Sequence, residues 1–172
     1  MKRILMLLLA VLMCFTVVAC SSKDDEPDLA GTTLEGLEEF EELEEYKDVP
    51  FKKLVKTACE NAEKEMKEDD DVDSCEVTYK FSYGWDTDKF DESDYIGSKQ
   101  SAVTCTISMT ATSEGHTMRA TVEFYFVHNH EANTLKAVGI KSYQASANSE
   151  NTYYGEGDDV LEMLEDLLSD EY

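Results

Sequence analysis

Positive charge is scarce in this chain: 15 Lys and Arg stand against 38 Asp and Glu, for a net charge of -23. Such a surface repels phosphate backbones and anionic headgroups, which argues against nucleic acid as a partner. Cations, basic proteins and basic peptides remain. The motifs of common chemistry are missing too. There is no GxSxG, no Gly-rich phosphate loop and no HExxH, so hydrolase, nucleotide and zinc-peptidase readings have no support. Five cysteines are present, but no CxxC and no Cys/His cluster. Histidine is limited to three residues, which narrows the candidates for acid–base or metal chemistry.

What the chain does have begins at its N-terminus. Met1, Lys2 and Arg3 precede an apolar run from Ile4 to Val18. That run is shorter than the ~20 residues needed to span a bilayer. A basic start, a short apolar stretch and small residues before a cut site describe an export signal. Val17-Val18-Ala19-Cys20 resembles the lipobox of bacterial lipoproteins. The resemblance covers only the first residues of the chain. It implies a signal peptide over 1–19, a covalent diacylglyceryl group on Cys20, and a protein exported and lipid-anchored at the outer face or cell surface. Ser21 is similar to the residue found in lipoproteins that are not held at the inner membrane. Ser21-Ser22-Lys23-Asp24-Asp25-Glu26 is similar to the acidic export signal of surface lipoproteins in Bacteroidetes, and reads equally well as a solvated tether. Residues 20–31 are assigned to a flexible tether and 32–172 to a single domain, long enough to bury a core.

Thr32 and Glu35 have capping-box spacing. Leu34, Leu37, Phe40, Leu43 and Tyr46 recur every third position among many glutamates. A stripe of period three drifts around an α-helix of 3.6 residues per turn, so a marginal acidic helix is expected over 32–47. Asp48 and Pro50 start a cleaner helix, with Phe51, Leu54, Val55, Ala58, Cys59, Ala62 and Met66 on one face. Strict alternation then predicts strands. The first carries Cys75, Val77, Tyr79, Phe81, Tyr83 and Trp85. The second carries Val103, Cys105, Ile107, Met109 and Ala111. The third runs from Met118 to His128, after a turn at Ser113-Glu-Gly-His116. The fourth spans about Leu135 to Tyr143, with Val138 and Ile140 as core residues and a bulge near Ala137. Residues 145–157 read as a polar loop. A last helix from about Asp158 turns Val160, Leu161, Leu164, Leu167 and Leu168 inward.

The expected fold is therefore α+β: a four-stranded antiparallel meander covered on one face by helices, in the order α-α-β-β-β-β-α. In element order this is similar to cystatin-like and NTF2-like folds, although the Gln-Val-Val-Ala-Gly-type hairpin of cystatins is missing.

Candidate sites are few. His128 and His130 share one side of a strand end, and Asp86, Asp88 and Asp91 lie in a loop expected at the same end. Together they suit a divalent cation, although an HxH pair is a weak pattern. Asp69, Asp71 and Asp73 match the opening of a calcium loop, but Ser74 and Lys80 break the rest. Three cysteines remain after the lipobox: Cys59, Cys75 and Cys105. They read as buried thiols or, if one bridge forms, as Cys59–Cys105, the pair that helix and strand rises bring level. The sequence thus points to a tethered, non-catalytic binding or accessory module. The alternative is a metal- or small-ligand-binding lipoprotein using the acidic loop and His128/His130.

Overall fold

A computed structural model describes residues 26–113, 116–146 and 149–168. The signal sequence, Cys20, the first part of the tether and the turn centred on 114–115 lie outside the described residues. The architecture is mixed α+β. Strands β2 (Ser74–Tyr83), β3 (Gln100–Ser113), β4 (His116–Asn129), β5 (Thr134–Ser146) and β6 (Ser149–Glu156) form an antiparallel meander, and β1 (Thr33–Leu34) pairs in parallel with the start of β5. Helix α1 (Phe51–Glu68) precedes the meander, α2 (Glu92–Tyr95) is a short turn inside it, and α3 (Gly157–Leu168) follows it.

Six strands replace the four expected. β6 lies in the stretch read as a polar loop. Its sequence, Ser-Glu-Asn-Thr-Tyr-Tyr-Gly-Glu, has no apolar alternation, and it is held by its backbone ladder to β5. β1 belongs to a strap that begins before Thr32. Leu29 is fully buried in the main core, so residues 27–31 are not free tether. The strap is tied down by Thr32 Oγ1, which donates to Asn133 Oδ1 at 2.7 Å, and by the Phe51 amide, which donates to Thr32 O at 2.7 Å. The second bond also satisfies an amide left open at the start of α1.

The expected acidic helix is a pair of 3-10 turns, Leu37–Glu39 and Glu41–Tyr46, broken by extended backbone at Phe40. A 3-10 helix has three residues per turn, so the period-three stripe that drifts around an α-helix stays on one face. Leu37 and Leu43 are accordingly fully buried.

The inner face of the sheet carries the alternating residues read from the sequence. Phe81, Cys105, Phe124 and Ile140 lie in one row across four strands and are all buried. Phe51 of α1 packs edge-on against Phe81 and Phe126, with ring centroids 5.8 and 4.8 Å apart. The β4–β5 register shifts between Tyr125 and Phe126. The extra residue is Val138, beside the expected position, and it packs with Tyr125 and Val127. Ile140 stays in the inner core.

Trp85 does not continue the row of β2. Gly84 has φ +80°, a left-handed backbone that suits glycine. Past it the chain crosses to the outer face, where Trp85, Phe90 and Ile96 cover Tyr125, Val127 and Val138. The Trp85 indole N–H donates to Val103 O and Phe126 O, both at 3.2 Å. Phe90 lies so close to Gly139 that a Cβ there would sit 2.3 Å from its ring.

Candidate functional site

That crossing sets where the five candidate metal ligands lie. The loop holding Asp86, Asp88 and Asp91 runs over the outer face. His128 pairs with Ser101 and Leu135 from the inner side, where it is 3 % exposed. Asp86, Asp88 and Asp91 are exposed. The Asp91 carboxylate caps α2 by accepting from the Ser93 amide at 2.9 Å, and that bonding holds it below the usual range. Among the described residues no three His, Cys, Asp or Glu side chains group so as to hold a metal. The two histidines do meet, with ring centroids 4.4 Å apart. Burial and the neighbouring His130 push the His128 pKa down, while Asn133 and Asp28 pull weakly the other way. Apart from that Asn133 contact, neither ring nitrogen of His128 has a hydrogen-bond partner among the described residues, and Ser101 Oγ across the strand pair has none. A larger, polar cavity of about 590 Å³ lies on the outer side, with Glu35, Asp94, Lys136 and Glu156 among its walls. None of the five proposed ligands lines it.

Cys59, Cys75 and Cys105 are free thiols, all buried. Cys59 and Cys105 come within electrostatic reach of each other at the interface of α1 and the sheet, but no bridge joins them. Cys75 sits apart, with Met66, Ala111 and Met118. Burial, with Glu60 and Glu63 nearby, pushes the Cys59 thiol up to about 11. It is protonated at neutral pH and is not a nucleophile there.

The more telling feature is a cleft of about 220 Å³ between α1, α3 and the inner face of the sheet. It exists because small residues stand where large ones would close the core. Ala58 and Ala62 form its α1 wall, and Ala120 and Ser142 lie in its floor. Val77, Ile107, Met109, Val122 and Met163 turn into it and are therefore only partly buried. Tyr153 of β6 stands at the cleft with 57 % of its surface exposed. The α3 bank is acidic: Asp159, Glu162 and Asp166 all line the cleft. Asp159 is engaged, since its Oδ2 accepts from the Glu156 amide at 2.6 Å. Glu162 and Asp166 are exposed, four residues apart on one helix face, and among the described residues neither makes an ion pair. Like charges at that spacing repel, and a cation between them relieves the repulsion.

By their spacing Ala58, Cys59, Ala62, Val77, Ile107, Met109, Val122 and Phe124 fall on core faces, and only the aromatic row that includes Phe124 suggests a pocket lining. The available signal was the run of small side chains on facing elements. Tyr153 and the α3 carboxylates were not singled out, because only the pairing of β6 with β5 brings Tyr153 to that wall. Among the described residues no helix is long and apolar enough to cross a membrane. No protein-family model matches the chain, and neither the curated proteins nor the solved structures yield a match.

Proposed function

We propose that this protein is a lipid-anchored, non-catalytic binding module of the bacterial cell envelope, and that its cleft receives the apolar part of a basic partner peptide or protein segment. The N-terminal residues through Cys20 support the anchor. One observation carries the binding role: an apolar cleft roofed by two helices, with two carboxylates on its bank that make no ion pair among the described residues. Apolar contacts supply affinity there and the carboxylates supply selection for positive charge. The net charge of -23 steers basic partners toward the domain.

The test uses the full chain in zwitterionic vesicles and a fluorescent amphipathic lysine-rich peptide, read by anisotropy. Saturable binding is expected. It should weaken at least about tenfold in Ala62→Leu, which fills the cleft, a loss of ~1.4 kcal/mol. In Glu162→Gln/Asp166→Asn it should lose most of its preference over a neutral peptide of equal apolarity. Equal binding by wild type and Ala62→Leu would refute the cleft as the site.

A further inference from the structure

We infer that the free edge of β2 is a self-pairing interface, through which two copies of this chain join in an antiparallel, two-fold symmetric dimer centred on Thr78. β2 is the last strand of the sheet on its side, ten residues long, and its register with β3 is uninterrupted. It has no proline, no glycine and no bulge; what guards it are the exposed charges of Glu76 and Lys80 and the Glu63 carboxylate on the Val77 amide. Mean strands run to about 5–6 residues, so this is a long open edge.

The geometry selects one register. Gly84 donates its amide to Ala102 O across β3, whereas the Val77 amide points away from β3 and donates to Glu63 Oε2 at 3.3 Å. Even-numbered residues of β2 therefore bond inward, and Cys75, Val77, Tyr79, Phe81 and Tyr83 present their backbone groups outward. A second β2 running antiparallel must match outward groups with outward groups. With Thr78 on the two-fold axis, Val77 meets Tyr79 of the second copy and Cys75 meets Phe81, both as hydrogen-bonded pairs. Glu76 then stands opposite Lys80 of the second copy, and Lys80 opposite its Glu76. Both residues are exposed, and among the described residues neither is in an ion pair. The interface is isologous, as a two-fold contact must be. Directly opposed unlike charges stabilise a strand pair and like charges destabilise it.

The contact also gives the exposed tyrosines of the edge a neighbour. Tyr79 and Tyr83 are 39 % and 49 % exposed, and Tyr79 would lie beside Val77 of the second copy. Two forces oppose association. Each copy carries a charge of -23, a repulsion screened beyond about 8 Å at physiological ionic strength. The Val77 amide must also leave Glu63, which keeps its ion pair with Lys67.

The experiment places Thr78→Cys in the full chain, reconstituted in zwitterionic vesicles, and follows the disulfide-linked dimer on a non-reducing gel under mild oxidation. Thr78→Cys should cross-link well above the unsubstituted chain and above Ser82→Cys, which this register sets opposite Ser74. Adding Glu76→Lys, or separately Lys80→Glu, to the Thr78→Cys chain should cut cross-linking at least tenfold, because each makes like charges face. Mixing those two chains restores unlike charges at both positions and should restore a mixed dimer, identified by tags of different mass. Equal cross-linking by Thr78→Cys and Ser82→Cys, survival of the dimer in either single reversal, or failure of the mixture to recover would each overturn the inference.

Discussion

Replacing Leu29 by Ala asks whether the fold begins before Thr32. Leu29 has no exposed surface and sits in the main core with Leu34, Leu37 and Leu135. Truncating a buried leucine costs about 2–5 kcal/mol, the spread reflecting how far the site collapses. The strap is anchored on both sides of Leu29. Lys52 pairs with Glu26 at 2.7 Å on one side, and Thr32 is bonded to Asn133 and Phe51 on the other. Collapse is therefore limited, and a loss of about 3 kcal/mol is expected. At roughly 2–4 °C per kcal/mol for a domain near this size, Tm should fall by about 6–12 °C. The assay is urea and thermal unfolding followed by circular dichroism, with exposed Ala30→Ser as the control, expected within about 0.5 kcal/mol of wild type. A Leu29→Ala chain as stable as the Ala30→Ser control would refute the reasoning and return residues 27–31 to the tether.

Three further outcomes follow from the structure. Gly84→Ala should cost about 1–2 kcal/mol from its left-handed backbone; since a Cβ there meets nothing nearer than 3.5 Å, an unchanged urea midpoint would contradict the strain argument. His128 has its pKa lowered in the fold, first by burial and then by His130, so the native state binds fewer protons than the unfolded chain. Stability from this group is then full above the unfolded value of 6.5 and declines as pH falls below it. His128→Gln should show a shallower loss of urea midpoint between pH 8 and pH 5.5 than wild type, and identical slopes would contradict it. With its thiol held near 11 rather than 9.0, Cys59 should react with maleimide at pH 8 about a hundredfold more slowly than an unshifted thiol, and Cys105, pushed higher by full burial, should react only on unfolding. Mass spectrometry of the native chain showing prompt labelling of either would count against the packing.

Much of this fold is legible in the chain. The alternation of β2 to β5, the apolar faces of α1 and α3, and the bulge beside Ala137 all follow from side-chain period, because burial on one face imposes that period. What escaped was held by backbone or by a single residue. β6 has no apolar face to announce it. The 3-10 turns hide behind an α-helical expectation, although Leu34, Leu37, Phe40, Leu43 and Tyr46 already carry the 3-10 period. Gly84 reverses the side-chain parity of the chain, and past it Trp85 and Phe90 pack on the outer face. The cleft is a property of volumes across four elements, which one-dimensional spacing does not report.

The most direct test of the account is methyl NMR of the full chain labelled at methionine, titrated with the lysine-rich amphipathic peptide. Met109 and Met163 line the cleft, whereas Met66 and Met118 lie in a neighbouring cluster with Cys75, against which Met109 packs. Saturable shifts are expected at Met109 and Met163, largest at Met163, with smaller ones at Met66 and Met118. Shifts confined to Met66 and Met118, or none at saturating peptide, would contradict it.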